Sequence, residues 1–405
     1  MRKLILSVIA SLLVVFGLGL FISLASPQQQ GTAPRYPKGS TLDVLGGYEM
    51  PDPKWPQWAH PYPKPGYIWG SQPGVFPESA DRVYFANRGQ QKLPDPKFLP
   101  KNFYGNWGVF SSAVSQSIAE ADMVNIIVVG DRNGKAIETW NQWDKLFLWG
   151  RGPHSIHINP YDPERHVWVV NDPEHCIFQF TRDGKQLVKT LGVCDEFTGD
   201  NEDLQHLWRP TVMDFAPDGS IYVADGYKNS RIMKYDKNGR PVMKFGSPGR
   251  GHGQFDTIHG IAIGGFPQRI FVADMGVRCN GPNSGCVGRI QVFDMNGKFL
   301  DEWSGFNAYN LLMSADNHLW VFDWKTNKAF KLDLDGNLEY SFLQEGTEPG
   351  EVFSVHQMSA DVDGNLYMAE AGGGRTQKFV PKRGADPTKI VWGRPLAPMT
   401  GRGSN

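Results

Sequence analysis

The sequence lacks the excess of positive charge that binding to nucleic acids requires. Its 405 residues contain 41 lysines and arginines against 42 aspartates and glutamates, for a formal net charge of −1. Domains that bind nucleic acids usually carry a basic face and a pI above about 9, and no basic stripe is present here. We therefore predict no nucleic-acid partner.

Cysteine is scarce as well. The chain has four cysteines and no CxxC pair, which argues against a metal site built from cysteines. Four cysteines allow three pairings. Two of the possible pairs close short local loops, Cys176 with Cys194 and Cys279 with Cys286, and we expect disulfides there because the start of the chain favours export.

A single long apolar run is present, at the start of the chain. Arg2 and Lys3 precede residues 4–25, which are uncharged and 22 in number. Ser23-Leu24-Ala25 would suit cleavage of a signal peptide, but a run of about 20 residues also spans a bilayer. A cleaved signal and an uncleaved N-terminal membrane anchor therefore both stay open. The folded part is expected to be exported: periplasmic, secreted, or membrane-anchored and facing outward.

Clear helical periodicity is missing too, whereas glycine (46 residues) and proline (29 residues) are frequent. Asp-Gly and Asn-Gly turns separate short apolar runs, which is typical of β-hairpins. Six apolar cores recur, and from the second onward they are 54, 49, 49 and 47 residues apart. They are VYFANR at Val83, VWVVND at Val167, IYVADG at Ile221, IFVADM at Ile270, LWVFDW at Leu319 and LYMAEA at Leu366. Units of this length with four strands each predict an all-β fold, a six-bladed β-propeller.

The expected organisation places the propeller at residues 75–394. Before it lie the signal or anchor (1–25) and a linker rich in proline and aromatic residues (26–74), and a short tail (395–405) follows. The last blade needs a terminal strand to cover its edge. KIVW at Lys389–Trp392 and the segment Tyr67–Trp69 are the candidates for it. We expect a monomer.

Histidine recurs in alternate repeats. About ten residues before the cores of units two to six stand, in chain order, His154, Thr211, His259, Leu311 and His356. If six units close into a ring, the three histidines lie about 120° apart around its axis. Three imidazoles with an open fourth position form a catalytic zinc arrangement, so we predict a zinc site. The competing interpretation is that the histidines only form hydrogen bonds at the blade entrances.

Other polar residues are predicted to have ordinary roles. Among the other histidines, the following do not follow the alternating pattern: His157, His166, His175, His206 and His318. The aspartates at the ends of the core strands recur in nearly every repeat, which favours turn capping over catalysis. They are Asp172, Asp225, Asp274 and Asp323.

Several motifs together resemble the peptidyl-α-hydroxyglycine α-amidating lyase family. They are DGYKNSRI at Asp225–Ile232, PHSI around His154, IHGIAI around His259, VHQMSAD around His356 and VYFANRG, which contains Arg88. The resemblance implies a propeller of NHL-type repeats with zinc bound by the three histidines. It also implies a catalytic tyrosine, matching Tyr227, and an active-site arginine, matching Arg88. A second arginine follows the fourth core, where Arg278 is the best match.

Two departures from the family pattern bear on the metals and disulfides. The family has an acidic residue after its third histidine that helps to hold a structural calcium ion. Gln357 stands there in this chain, which puts calcium in doubt. The family's cysteine positions also differ from those of this chain, so its disulfides are not implied. Insertions at residues 90–121 and 278–288 are expected near the mouth of the channel.

The resemblance implies an exported zinc-dependent lyase. Such an enzyme would cleave N-acyl-α-hydroxyglycine substrates, small molecules or peptides, to an amide and glyoxylate, with Tyr227 as the base. Two alternatives stay open. One is a metal-dependent propeller hydrolase such as a lactonase, and the other is a non-enzymatic NHL platform that binds a ligand or a protein. The fold alone does not distinguish these functions.

Overall fold

The structure is a computed structural model that describes residues 44–52, 55–56, 67–92, 122–147, 152–276, 288–346 and 348–400. The chain divides into residues 1–42, outside these ranges, and a compact unit of residues 43–405. Four predictions also fall outside the described residues: the N-terminal signal or anchor, the position of Arg278, the Cys279–Cys286 pair and most of both insertions. Among the described residues, no helix has the length and apolarity to cross a membrane.

Six four-stranded antiparallel sheets form the blades within the described ranges. Blade 1 consists of Gly74–Ser79, Arg82–Ala86, Ile127–Gly130 and Ala136–Thr139. Blade 2 consists of Ser155–Ile158, Val167–Asn171, Cys176–Phe180 and Leu187–Leu191. Blade 3 consists of Val212–Phe215, Ile221–Asp225, Arg231–Tyr235 and Pro241–Phe245.

The remaining three blades follow the same order. Blade 4 consists of Ile258–Gly264, Arg269–Asp274, Arg289–Asp294 and Phe299–Ser304. Blade 5 consists of Ala308–Met313, Leu319–Asp323, Lys328–Leu332 and Leu338–Phe342. Blade 6 consists of Val355–Ala360, Leu366–Glu370 and Arg375–Pro381, with Tyr48–Glu49 as its fourth strand.

Short elements lie outside the blade sheets. Tyr67–Trp69 pairs antiparallel with Gln90–Lys92, and Ser247–Pro248 pairs parallel with Gln254–Phe255. Two 3₁₀ helices cover Asn141–Phe147 and Pro387–Lys389.

The first strand of every blade packs against the first strands of both neighbouring blades, which closes the ring around a central axis. The second strands are buried along nearly their whole length because blades cover them on both faces, so they read in the sequence as continuous apolar runs. One hydrophobic cluster lies at each of the six blade interfaces. The predicted six-bladed propeller is confirmed.

The strand that completes blade 6 differs from both predicted candidates. Tyr48 and Glu49 pair with Pro381 and Val380 on the outer edge of this blade. The KIVW segment contributes buried side chains to the cluster beneath, and the Val391 N–H donates to Tyr48 Oη at 2.7 Å. A two-residue strand carries no detectable period, so the sequence could not reveal that the predicted linker contains a strand of the propeller.

Candidate metal centre

The three repeated histidines stand where the innermost strands begin. His154 directly precedes the first strand of blade 2, and its N–H donates to Val170 O at 2.7 Å. His259 and His356 are the second residues of the first strands of blades 4 and 6. The strand register shifts at both positions, so each histidine is the extra residue of a β-bulge. Bulges redirect side chains at the rims of sheets, and here the three imidazoles converge.

Blade 5 carries a tyrosine at the equivalent position, not the predicted leucine. The register shift between Ala308 and Asn310 places Tyr309 at the bulge, and Leu311 lies two residues further into the strand. Tyr309 lies ten residues before Leu319, as His356 lies ten residues before Leu366, whereas Leu311 lies only eight residues before Leu319, so the prediction took a residue two positions too late. The Tyr309 ring stacks on His259 with centroids 3.9 Å apart and an interplanar angle of 10°.

The geometry of the histidine cluster suits a single metal ion. One ligand nitrogen from each of His154, His259 and His356 lies within 4.8 Å of the others, and the residues are only 1%, 2% and 4% exposed. Their ring centroids are 4.3–4.9 Å apart. The alternating register in the sequence thus predicted a real juxtaposition.

Backbone carbonyl groups orient two of these rings. His259 Nδ1 lies 2.9 Å from Tyr309 O, and His356 Nδ1 lies 2.9 Å from Pro73 O. A carbonyl only accepts, so Nδ1 carries the proton and the lone pair of each neutral ring is on Nε2. Metal-binding histidines typically donate their second nitrogen to such a partner. The donor set therefore fits zinc.

Tyr227 reaches into the same cluster. Its Oη lies 3.0 Å from His154 Nε2 and 2.9 Å from His259 Nε2. The preceding Gly226 approaches the blade 4 strand so closely that a Cβ there would lie 2.1 Å from Ile258 O. Only glycine permits this approach, which explains the Gly-Tyr pair of the motif.

The rest of the DGYKNSRI motif fixes the turn that carries Tyr227. The fully buried Asp225 carboxylate accepts hydrogen bonds from the Trp208 N–H at 2.8 Å, Asn229 Nδ2 at 2.7 Å and Arg231 Nε at 3.0 Å. Removing one partner of a buried pair leaves an uncompensated charge. Asp225, Asn229 and Arg231 thus position the tyrosine and do not themselves reach the histidines.

Arg88 borders the cluster from blade 1. It is 7% exposed, and its Nε donates to Pro153 O at 3.2 Å, beside the first histidine. Its Nη1 lies 3.4 Å from Ser71 Oγ. The structure thus brings three histidines, Tyr227 and Arg88 to one end of the channel.

Sequence reasoning missed Tyr309 and Arg209. The Arg209 guanidinium carbon lies 5.4 Å from the centroid of the Tyr227 ring, and the Arg209 O accepts from the Tyr227 N–H at 3.2 Å. Thr211 occupies the position in blade 3 that the histidines occupy in blades 2, 4 and 6. Arg209 could have been found from its place two residues before Thr211.

The residues around Gln357 do not fit calcium. Its side-chain Oε1 accepts from the Ile156 N–H at 3.1 Å, and its Nε2 donates to Ile156 O at 2.6 Å across the channel. Calcium requires several oxygen ligands, usually including carboxylates, whereas this neutral amide presents an N–H group to the carbonyl. A hydrogen-bonded amide thus links blades 2 and 6.

The Cys176–Cys194 disulfide is confirmed, with its Cα atoms 5.1 Å apart. Cys176 opens the third strand of blade 2, and Cys194 follows the fourth strand. The bond therefore fastens the segment after blade 2 close to the mouth of the channel that holds the histidines.

Comparisons with known proteins give relatives of low sequence identity. No protein-family model matches the chain. It is 25% identical over 274 residues to peptidyl-α-hydroxyglycine α-amidating lyase 1 of Drosophila melanogaster, covering 61% of this chain and 48% of that protein. It is 25% identical over 366 residues to the peptidylglycine α-amidating monooxygenase of Rattus norvegicus, covering 87% and 33%. Human NHL repeat-containing protein 3 is 25% identical over 287 residues, covering 64% and 74%.

Solved structures show distant likenesses. A gluconolactonase from Xanthomonas campestris is 11% identical, with a TM-score of 0.49 and coverage of 78% of this chain and 87% of that one. Virginiamycin B lyase from Staphylococcus aureus is 17% identical, with a TM-score of 0.38 and coverage of 56% and 70%. We draw no functional argument from likenesses at this level.

The fold and the relatives define the class of protein: an NHL-type six-bladed propeller with a three-histidine cluster on its axis. Within that class the chain is similar to the amidating lyases, as the sequence motifs indicated. The chain spans 48% of the length of the Drosophila lyase and 33% of the length of the rat monooxygenase.

Proposed function

We propose that the chain is a zinc-dependent lyase that cleaves N-acyl-α-hydroxyglycine substrates, small molecules or peptides, to an amide and glyoxylate. One observation carries the proposal: Tyr227 Oη contacts Nε2 of both His154 and His259. A phenol oxygen therefore lies within hydrogen-bond distance of two of the three clustered histidines. The similarity to proteins named for this activity supports the same reaction.

His154, His259 and His356 would hold the zinc ion. When bound, zinc supplies a Lewis acid that lowers the pKa of a hydroxyl group at this position. The carbonyl groups of Tyr309 and Pro73 keep two of the rings in the tautomer with Nε2 as the ligand atom.

The reaction requires a proton to move from oxygen to nitrogen. The carbinol O–H bond breaks, its electron pair forms the aldehyde C=O of glyoxylate, and the C–N electron pair leaves with the amide nitrogen, which takes up a proton. Neither water nor an oxidant is consumed. Tyr227 Oη would accept the hydroxyl proton and return one to the nitrogen, which is general base followed by general acid catalysis.

Arg88 would add a fixed positive charge beside Pro153 and so favour an anionic substrate at this mouth. Arg278, whose position lies outside the described residues, is proposed to act on the same side on the basis of the family resemblance alone. We also propose that the protein works outside the cytoplasm, because the Cys176–Cys194 disulfide suits an oxidising compartment.

The test is glyoxylate release from N-benzoyl-α-hydroxyglycine by the full-length chain. We expect His259→Ala to reduce the release to the uncatalysed level. The matched control His252→Ala, at an exposed histidine outside the cluster, should keep wild-type turnover. Unchanged turnover in a folded His259→Ala protein would contradict the mechanism. Lactone hydrolysis by the wild type without glyoxylate formation would favour the hydrolase instead.

A further inference from the structure

Blade 2 lacks an ion pair that blades 3, 4 and 6 share. In these three blades the second strand ends in an acidic residue. An arginine that opens the third strand of the same blade forms an ion pair with it. These pairs are Asp225–Arg231 at 3.0 Å, Asp274–Arg289 at 3.2 Å and Glu370–Arg375 at 3.0 Å. In blade 2 the paired positions hold Asn171 and Cys176. This blade therefore has no such pair to hold its strands together.

Asp172 is out of register with the other strand-end aspartates. It lies one residue beyond the strand that ends at Asn171, and its side chain is fully buried. Its Oδ2 accepts hydrogen bonds from Arg209 Nε at 3.0 Å and Nη2 at 2.6 Å. Arg209 precedes blade 3, so this ion pair crosses between blades.

The ion pair holds a cation against Tyr227. The Arg209 guanidinium carbon lies 5.4 Å from the Tyr227 ring centroid, and the Arg209 backbone adopts a left-handed φ of 61°. Residues other than glycine rarely take this conformation unless their surroundings impose it. The contact with Asp172 engages Nε and Nη2, and the side chain is still 31% exposed. None of the hydrogen bonds among the described residues uses Nη1, so this edge of the guanidinium is left for a ligand beside Tyr227.

We propose that Arg209, held by Asp172, binds the carboxylate of the substrate. This inference rests on the proposed function and identifies the substrates as those that keep a free carboxylate on the reacting carbon. Arginine suits this role because its planar fork matches a carboxylate. Arg88, the arginine that the family pattern indicates, is buried and already bonded to Pro153 O. Arg209 presents its charge to solvent beside the phenol.

The test compares the binding of N-benzoylglycine and of its methyl ester by isothermal titration calorimetry with the full-length protein. Neither compound has the α-hydroxyl group, so neither is turned over. We expect the wild type to bind the acid more tightly than the ester and Arg209→Gln to reduce this preference about 10-fold or more. Arg209→Lys should keep part of it. The control Arg240→Gln, at an exposed turn, should keep all of it.

A structural role for Arg209 predicts a different result. If the arginine only neutralises Asp172, Arg209→Gln lowers the melting temperature and leaves the acid-to-ester ratio unchanged, which would overturn the proposal. Should Arg209→Gln not fold, the double variant Asp172→Asn/Arg209→Gln removes both charges and undergoes the same comparison. A wild type without preference for the acid would also overturn it.

Kinetics separates this proposal from the proposed function. With N-benzoyl-α-hydroxyglycine we expect Arg209→Gln to raise KM about 10-fold or more and to change kcat less. If the wild type shows an Arg209-dependent acid preference but releases no glyoxylate, the lyase function fails and the binding role stands. If it releases glyoxylate and Arg209→Gln keeps the acid preference, the lyase function stands and the role of Arg209 fails.

Discussion

The substitution Tyr227→Phe removes a single oxygen atom from the site. That oxygen contacts His154 Nε2 at 3.0 Å and His259 Nε2 at 2.9 Å, whereas the ring that faces Arg209 stays. His259 and His356 keep their carbonyl partners, so we expect the fold and the metal content to be retained. General acid–base groups contribute about 10²–10⁴-fold to rate. We therefore expect kcat to fall by a factor in this range while KM changes little.

Tyr309→Phe is the matched control for this prediction. Tyr309 also touches the cluster, but through its ring, which stacks on His259, and through its backbone carbonyl, which contacts His259 Nδ1. Phenylalanine keeps both contacts, so we expect turnover close to that of the wild type. The assay is steady-state glyoxylate release, with metal content measured on the same samples. A Tyr227→Phe variant that binds metal normally and keeps kcat within about threefold of the wild type would refute the role of Tyr227.

Three further predictions concern other parts of the molecule. A calcium chelator should leave the melting temperature unchanged, and calcium-dependent melting would contradict the absence of a calcium site at Gln357. Gln357→Ala removes the side chain that bonds both backbone groups of Ile156. This variant should lower the free energy of unfolding by about 2–3 kcal/mol in urea titrations. Replacing Cys176 and Cys194 by serine should cost about 2–4 kcal/mol in the same titrations, and an unchanged midpoint would show that the bond is dispensable. Burial lowers the pKa of His157 from 6.5 to about 3. The unfolded chain therefore binds a proton at this histidine before the folded chain does, and stability should fall as the pH drops below about 6.5. His157→Gln should lose less stability over this pH range, and an identical loss would assign the effect to other groups.

The blade count was predictable because the second strands are buried on both faces. Their apolar runs stand out in the sequence at regular offsets, and the position of each histidine relative to its run is constrained by the hairpin between them. The spacings between cores vary by only a few residues, so the alternation of the histidines can be recognised by counting from core to core. The Cys176–Cys194 pair was predictable for a similar reason, since both ends lie within one repeat.

Other features depend on contacts that no local pattern encodes. The distance from each histidine to its core ranges from 10 to 13 residues, so counting alone does not fix the strand register, and Leu311 was assigned the position that Tyr309 occupies. The strand Tyr48–Glu49 is too short to show a period. The contact of Arg209 with Tyr227 depends on an ion pair between two blades. Such contacts follow from the packed ring and from departures from the repeat, which a single sequence shows only as irregularities.

The most direct test of the histidine centre is the metal content of the purified full-length protein. It is compared with that of the triple variant His154→Ala/His259→Ala/His356→Ala and with that of His252→Ala as the control. We expect about one zinc ion per chain in the wild type and in the control, and none in the triple variant, with folding checked by circular dichroism. A folded wild type that binds no metal after zinc is supplied, or a folded triple variant that keeps it, would contradict the axial three-histidine site.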